Sequence, residues 1–454
     1  MTMASGRAAL GAAALLSAAA AQADFQAALQ DYHAGRYETA HAQFLSLAEL
    51  GDCSSQFNLG AMALKGQGGP KDIASGVGWL QAAADNGCAQ LVGNRLPGLT
   101  AGLSADESRT AAALVARYGP EALREQGILN PDFNCHDETP ASLQSAPAAE
   151  YPDTAAHGQE AIVISALTIG VDGHARDPEI LLAVPGEGFA AAAVEAWMNS
   201  LFAPARRAGQ AVPSRLQAKT LFAIPGGSLT SAAAFRRALP AAEAGDPASQ
   251  YQVGLAATLD SSLGISSARA AQLLLSSARD GEASAQYWVG SQLRATSACH
   301  PRADGAVWLR HAASGGSAAA QLALATELLS ASPTAAQVAE ARALLEQAAT
   351  STSYYVEKHV VALLAASPLD AVRDSAAAMS VAMTLTAGPI QSDPQMFEAV
   401  AAAYAATGDF HHAVVQQELA MRKAQSLGWD TRSMSAKLHA YRSGKPWRGD
   451  LFAL

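Results

Sequence analysis

One block of residues recurs along this chain, and its spacing limits the possible folds more than any other feature. Each copy opens with Gly and an acidic residue, reaches Gln five positions after that Gly, and closes with a second Gly. The copies occupy residues 51–60, 245–254 and 281–290, and a weaker copy holds Gln321. The last three copies lie 35 or 36 residues apart, which is typical of two-helix repeats that stack into an α-solenoid.

A second recurring position indicates the partner helix of each repeat. It begins a run that ends in alanines, and it is occupied by Trp79, Leu273, Trp308 and Leu344. The apolar residues after each Gln form a buried stripe on the first helix, and the closing Gly lets the second helix approach closely. We expect the second helices to end at Gly87, Gly281 and Gly316. The pattern predicts a mainly α fold.

Both ends of the chain carry a related two-helix pattern. Residues 32–37 and 404–410 each place a Gly between two amphipathic segments, as expected for the turn of a helical hairpin. The last 26 residues become more basic and carry Trp429, Trp447 and Phe452. We expect this end of the chain to form a capping helix and a tail.

The helical repeat is interrupted between Cys135 and Ser231. Residues 161–169, 175–184 and 215–222 have the composition of strands, with Asp172-Gly173 as a hairpin turn between the first two. Residues 189–201 have helical spacing, and residues 139–147 have the Ala, Ser and Pro content of a linker. The interruption is therefore predicted to be a small α+β module with the order β-β-α-β.

The first full repeat also carries a specific series of motifs. Leu59-Gly60 is followed by the loop Gly66-Gln67-Gly68-Gly69-Pro70-Lys71-Asp72 and then by Trp79-Leu80. This series resembles the Sel-one-like repeat, and both chain ends resemble the related tetratricopeptide repeat. The resemblance implies a scaffold that binds proteins on a concave face. The Gly-rich loop lacks the order G-x-x-x-x-G-K-[ST], so we interpret it as a turn rather than a phosphate site.

Several motifs of the interrupting module occur in a characteristic order. They are Tyr151-Pro152, Gly158, Asp172-Gly173, Phe189, Ala193, Phe202-Ala203-Pro204-Ala205, Gly209 and Val212-Pro213. The order resembles the C-terminal domain of the TonB family, although Glu160 stands where that family usually has glycine. In that family the domain grips a short extended segment of an outer-membrane receptor. The resemblance implies an open edge at the last strand, where a peptide can add a strand.

The same resemblance indicates which residues would contact a partner. They are Tyr151, Pro152, Arg215, Gln217 and Lys219. An alternative reading has Tyr151 and Pro152 simply closing off the sheet, with Lys219 as an edge charge that blocks strand pairing.

The first 23 residues have the features of a signal peptide. Arg7 precedes an apolar run over residues 8–21, and Ala21-Gln22-Ala23 fits a cleavage site after Ala23. An uncleaved anchor is the rival interpretation, but the run is short and alanine-rich for a membrane span. We therefore expect a periplasmic protein with no membrane span after signal cleavage.

The chain contains four cysteines, which suggests disulfides in an oxidising compartment. Cys53 and Cys88 stand near successive repeat starts, where a helical hairpin brings its two ends together, so we predict a bridge between them. Cys135 and Cys299 form either a second disulfide or two free thiols. With His136 and His300 they could also form a Cys₂His₂ zinc site, although their spacing disfavours it.

The composition and motifs argue against other classes of function. The formal net charge is −10 and no basic stripe occurs, so nucleic acid is not an expected partner. No catalytic fingerprint is present, and we expect a protein that is not an enzyme and has no cofactor and no metal.

These observations divide the chain into six parts. In order they are a signal peptide (1–23), N-terminal helical repeats (24–135), a linker (136–148), a TonB C-terminal-like domain (149–226), Sel-one-like repeats (227–390), and a tetratricopeptide-like hairpin with a cap (391–454). The predicted fold is an α-solenoid with this inserted α+β domain.

The predicted function is that of a periplasmic adaptor of the TonB family that binds a protein or an extended peptide, such as an outer-membrane receptor segment. The first alternative is a TonB-type energy transducer for outer-membrane transport, but such transducers keep a membrane helix with a key histidine. This chain has no histidine before His33. The second alternative is an envelope scaffold that binds peptidoglycan or its enzymes.

Overall fold

The computed structural model of the protein is mainly helical and contains a few small sheets. It describes residues 25–129, 131, 133, 138–152, 160–184, 186–222, 235–236, 238–296, 305–330 and 332–452. The predicted signal peptide, Gly158, Cys135 and Cys299 lie outside these residues. Within the described ranges, no helix combines the length and the apolar character needed to cross a membrane.

The helices between residues 25 and 129 form what we call the N-terminal arm. They are α1 (Phe25–His33), α2 (Tyr37–Glu49), α3 (Cys53–Lys65), α4 (Ile73–Ala83), α5 (Ala89–Val92), α6 (Leu96–Ala101), α7 (Ala105–Tyr118) and α8 (Pro120–Glu125). α1 packs against α2 and α3 against α4, and α4 also packs against α7. Gly66 ends α3 in the left-handed conformation at φ 70°, so the Gly-rich loop is the predicted turn between two helices.

The insert follows the N-terminal arm and comprises the strands and the helix between residues 138 and 222. These are β1 (Glu138–Thr139), β2 (Ser142–Ser145), β3 (Ala161–Ile169), β4 (Ala175–Val184), α9 (Ala190–Met198), β5 (Leu201–Ala203), β6 (Ala205–Arg207), β7 (Gln210–Val212) and β8 (Ser214–Phe222). In the largest sheet β3 lies between β4 and β8 and is antiparallel to both. The long strands and the helix occur in the predicted β-β-α-β order.

Two features of the insert differ from the sequence-based expectation. Part of the predicted linker forms β1 and β2, which pair with β6 and β5. The predicted helix over residues 189–201 ends at Met198, because Leu201 and the two residues after it pair with β2 instead. Composition alone indicated a linker and a longer helix, whereas strand pairing between distant segments determines the structure of both regions.

The C-terminal arm comprises the helices from residue 238 onward. They are α10 (Ala238–Glu243), α11 (Pro247–Leu259), α12 (Ser267–Arg279), α13 (Ala283–Ala295), α14 (Gly305–Ser314), α15 (Ala318–Leu328), α16 (Ala335–Ala348), α17 (Tyr354–Ala366), α18 (Ser375–Ala387), α19 (Pro394–Ala406), α20 (Phe410–Ser426) and α21 (Arg432–Arg442). From α11 to α20 the helices pack as consecutive pairs. The recurring Gln lies on the first helix of a pair and the recurring Trp or Leu on the second, which is compatible with the predicted helical repeat.

The recurring Gln has the same structural role in each repeat. Its side-chain nitrogen donates to the backbone carbonyl of the residue eight positions earlier, at the end of the preceding helix. Gln286, for example, donates to the carbonyl of Ala278 at 3.0 Å. The last carbonyls of a helix have no partner within it, so the Gln satisfies one of them inside the packed array.

The recurring Gly sets the distance between the paired helices. A Cβ atom added at Gly60, Gly254 or Gly290 would lie 2.7, 2.9 or 2.8 Å from a Leu side chain on the second helix. Real Cβ atoms do not approach other heavy atoms so closely. The Gly therefore allows the two helices to approach closely, and any larger residue would force them apart.

Candidate functional site

The candidate peptide-binding edge is strand β8, which carries Arg215, Gln217 and Lys219. β8 pairs with β3 along its whole length, from Ser214 opposite Ile169 to Phe222 opposite Ala161. Among the residues that the structure describes, no strand pairs with the other side of β8. Side chains alternate along a strand, so Arg215, Gln217 and Lys219 share one face of the sheet.

The opposite face of the sheet is covered by α9. The indole nitrogen of Trp197 on α9 donates a 2.8 Å hydrogen bond to the hydroxyl of Thr220 on β8. The ring of Phe189, just before α9, lies 4.9 Å from the ring of Phe222. The ring of Tyr151 packs edge-on against Phe189 at 5.4 Å and is 37% exposed. Tyr151 therefore lies at the Phe222 end of β8, whereas Arg215 lies at the other end.

The face that carries Arg215 packs against the C-terminal arm. The Arg215 guanidinium forms an ion pair with Glu179 on β4 and lies 3.6 Å from the carboxylate of Asp177. The same guanidinium stacks 5.4 Å from the ring centre of Tyr355 on α17. Burial raises the pKa of Glu179, and the Arg215 charge only partly offsets this. Arg215 thus joins the sheet to the arm.

Lys219 is also engaged within the chain. Its ammonium forms an ion pair with Asp260, which follows α11, and both side chains are largely buried. Gln217, between Arg215 and Lys219, is half-buried. Two of the three predicted strand residues therefore hold the edge strand against the arm in this structure.

Asp177 connects the insert to α17 through two basic side chains. The register of β3 and β4 shifts at this point, so Asp177 and Pro178 form a bulge, and Asp177 has a φ of 54°. Its carboxylate lies 2.6 Å from Nε2 of His359 and 3.0 Å from Nζ of Lys358. Burial acts to raise the pKa of Asp177, but His359, Lys358 and Arg215 together hold it well below its usual value. The bulge directs a carboxylate at a cluster of bases.

Lys358 is the centre of this cluster. It is fully buried and donates to Asp393 at 2.8 Å and to the side-chain oxygen of Gln395 at 3.2 Å. Burial acts to lower the pKa of Lys358, but Asp393 and Asp177 raise it above its ordinary value. The arrangement is a buried network of paired charges, which joins the insert to α17 and to the start of α19.

Apolar contacts extend the same interface along the arm. Ile162 and Ile164 of β3 belong to one buried cluster with Tyr251 of α11 and Trp288 of α13. The hydroxyl of Tyr251 donates to the backbone carbonyl of Leu181 at 3.2 Å. The contacts come from α11, α13 and α17, the first helices of three pairs. The first helices therefore provide the surface on which the insert rests.

The C-terminal end of the chain covers the hairpin end of the insert. The guanidinium of Arg176 on β4 stacks 4.5 Å from the ring centre of Trp429 and donates hydrogen bonds to Asp172 and to the backbone carbonyl of His174. Val194 and Met198 of α9 belong to one buried cluster with Trp429. The sequence indicated Trp429 only as part of a cap, whereas its ring also packs against the insert.

Sequence reasoning missed most of this interface. Asp177, Glu179, Lys358, His359 and Asp393 carried no motif. Two signals were available: an Asp-Pro pair inside a strand pattern indicates a bulge, and a lone Lys inside an apolar helical run indicates a buried partner. Neither signal names the partner, because Asp177 and Lys358 are 181 positions apart in the sequence.

The predicted bridge between Cys53 and Cys88 is present. The two residues form a disulfide with their Cα atoms 5.6 Å apart, joining the start of α3 to the turn after α4. Across the described residues, no group of three or more His, Cys, Asp or Glu side chains could hold a metal ion. The Cys₂His₂ alternative involves Cys135, His136, Cys299 and His300, which all lie outside those residues.

No protein-family model matches this chain, and no curated protein matches it significantly.

Proposed function

We propose that the protein is a binding adaptor that captures an extended segment of another protein along the outer side of β8. The observation that carries this proposal is the position of β8 at the edge of the described sheet, with a partner strand on one side only. Backbone groups on an edge strand can pair with an added strand. The affinity would come from the backbone, and the neighbouring side chains would supply the selectivity.

The predicted residues take different roles in this proposal. Tyr151, which packs beside Phe189, and Pro152 flank the end of β8 near Phe222, so they would contact one end of the captured segment. Gln217 lies in the middle of the strand, and Leu221 is 40% exposed. Arg215 and Lys219 already form ion pairs within the chain, so we assign them to holding β8 in place.

The remaining features support a secreted scaffold. The paired helices of the two arms are consistent with an α-solenoid of Sel-one-like and tetratricopeptide-like repeats, and the insert with a TonB-like domain. The Cys53–Cys88 bridge suits an oxidising compartment such as the periplasm. On this proposal residues 1–23 direct secretion, and the arms hold the insert.

The proposal can be tested by crosslinking in cells. A photoreactive amino acid is placed at Gln217 or Leu221, and the crosslinked position on the captured protein is mapped by mass spectrometry. The matched control is Val415 on α20, which is 44% exposed and lies outside the insert. We expect capture at 217 and 221 that maps to one extended segment, and no such capture at 415.

A second step separates strand addition from chance proximity. A synthetic peptide of the mapped segment should compete with the crosslink at Gln217, and a version with proline at alternate positions should not, because proline removes the backbone donors that pair with a strand. Capture only along the arms, or equal competition by both peptides, would contradict the proposal.

A further inference from the structure

The helix that follows α7 is much shorter than the second helix of other pairs. α7 has 14 residues, whereas α8 has 6. In the C-terminal arm, the second helices α12, α14 and α16 have 13, 10 and 14 residues. α8 therefore cannot cover the whole length of α7.

A groove of about 700 Å³ lies along α7 as a result. One wall is formed by Val77 and Gln81 of α4 and by Asp85 just beyond the end of that helix, at helical spacing. The other wall is a single face of α7, formed by Ser108, Ala111, Ala112, Val115 and Ala116. The groove thus runs between α4 and α7, and residues at or just after the end of α6 and along α8 also line it (Thr100, Leu103, Pro120, Glu121, Ala122 and Glu125).

The side chains of the groove favour one kind of occupant. Its floor is made of small apolar groups, which let another helix approach closely. The charged side chains that line it are Asp85, Glu121 and Glu125, all exposed, and none of the lining residues is Lys or Arg. The groove therefore combines an apolar floor with an acidic rim.

We propose that this groove binds an amphipathic helix of a partner protein, with small or apolar residues on one face and Lys or Arg near its ends. The apolar face would cover Ala112 and Val115, and the basic ends would pair with Glu121, Glu125 and Asp85. This second binding surface is separate from β8, so the two proposals stand independently.

A helical peptide provides the test. The probe is a fluorescent, alanine-rich peptide of about 18 residues, long enough to form a helix, with Leu and Ala on one face and Lys at both ends. A second probe carries Glu in place of Lys. Fluorescence anisotropy with the full chain should show binding of the Lys peptide, and binding at least about tenfold weaker for the Glu peptide.

Two pairs of variants locate the bound peptide. Ala112→Trp fills the groove, whereas Ala113→Trp places the same side chain at the next exposed position of α7, which does not line the groove. We expect Ala112→Trp to weaken binding about tenfold or more and Ala113→Trp to leave it unchanged. Glu125→Lys should weaken binding about threefold, and the exposed control Glu195→Lys should not.

Three outcomes would overturn the proposal. They are equal affinity for the Lys and Glu peptides, equal effects of Ala112→Trp and Ala113→Trp, and a photo-crosslink from position 112 to residues 1–24 of the same chain. The last result would mean that the chain fills the groove itself. Thermal melts of each variant should match the parent protein, which separates lost binding from lost folding.

Discussion

Lys358 on α17 donates a 2.8 Å hydrogen bond to Asp393, and both side chains are completely shielded from solvent. The same ammonium lies 3.0 Å from the carboxylate of Asp177 on the insert. One cation therefore balances two carboxylates that come from opposite sides of the interface. Loss of Lys358 would take this cation from both carboxylates, and a buried charge that loses its partner is costly.

Replacing Lys358 should strongly destabilise the protein. The substitution Lys358→Met keeps the size and the apolar stem but leaves Asp393 and Asp177 without their shared cation. We expect a loss of about 3–5 kcal/mol in the free energy of unfolding, measured by urea denaturation. The control Arg442→Met breaks an exposed ion pair with Glu418 and should cost less than about 1 kcal/mol. Equal losses would show that burial of the Lys358 pair has no special effect.

Asp177 should stabilise the protein at pH values above the ordinary pKa of a carboxyl group. Its folded-state pKa lies well below its usual value, so its contribution is complete above about pH 4 and is lost as the pH falls further. Asp177→Asn should therefore destabilise the protein at pH 7, with the difference from the parent shrinking below about pH 4. Asn tolerates the positive φ of this position, so the comparison isolates the charge. A difference that is constant with pH would contradict this account.

Asp280 should have the opposite effect on stability. Burial, together with the nearby carboxylate of Asp52, raises its pKa to about 6, and Asp280 lies at the C-terminal end of α12, where the helix dipole disfavours a negative charge. The parent protein should lose stability as the pH rises from about 4 to about 6. Asp280→Asn should gain about 1 kcal/mol at pH 7 after solvent screening is allowed for, and nothing below pH 4. Urea denaturation at pH 4, 5, 6 and 7 checks the sign.

The recurring Gly should not tolerate a methyl group. In Gly254→Ala the new Cβ would lie 2.9 Å from Leu274 Cγ and 3.2 Å from the carbonyl of Ala270, so α11 and α12 must separate at a cost of about 1–3 kcal/mol. Gly98→Ala in α6 is the matched control, because nothing lies within 4 Å of its added Cβ. That variant should gain about 0.5–1 kcal/mol. Thermal unfolding of both variants gives the comparison, and a stabilised Gly254→Ala would refute the close-packing role.

The Cys53–Cys88 bridge should contribute substantially to the stability of the N-terminal arm. It closes a loop of 35 residues, for which the loss of chain entropy in the unfolded state corresponds to about 4 kcal/mol. The double variant Cys53→Ser/Cys88→Ser should lose this amount in urea denaturation. Reducing agent should have a similar effect on the parent protein, and any response that remains in the double variant reports on Cys135 and Cys299. Unchanged stability of the double variant would show that the bridge is not formed.

The sequence predicted those parts of the fold that depend on local pattern. The strand at residues 161–169 was predictable because its β-branched run is bounded by turn residues, and the structure has β3 over the same residues. The helix pairs were predictable because Gln250 and Gln286 recur at a fixed spacing. In both cases neighbouring residues carry enough information to specify the element.

The contacts between the insert and the arm join residues that are far apart in the sequence, so no local pattern indicates them. Arg215 was predicted as a partner contact because it lies on the last strand, yet its guanidinium stacks on Tyr355. Nothing near Arg215 in the sequence indicates α17. The pairing of Leu143 with Phe202 was missed for the same reason, because the two residues are far apart in the sequence of the insert.

The position of the insert on the first helices also has a consequence for assembly. Proteins are made from the N-terminus, and early domains fold first. We therefore expect the sheet that carries Asp177 to form before α13 and α17 emerge, so that those helices bring Trp288 and Lys358 to a surface that already exists. The insert would act as a template on which the later helices are aligned, so a defect in the sheet should appear as misassembly of helices synthesised long after it.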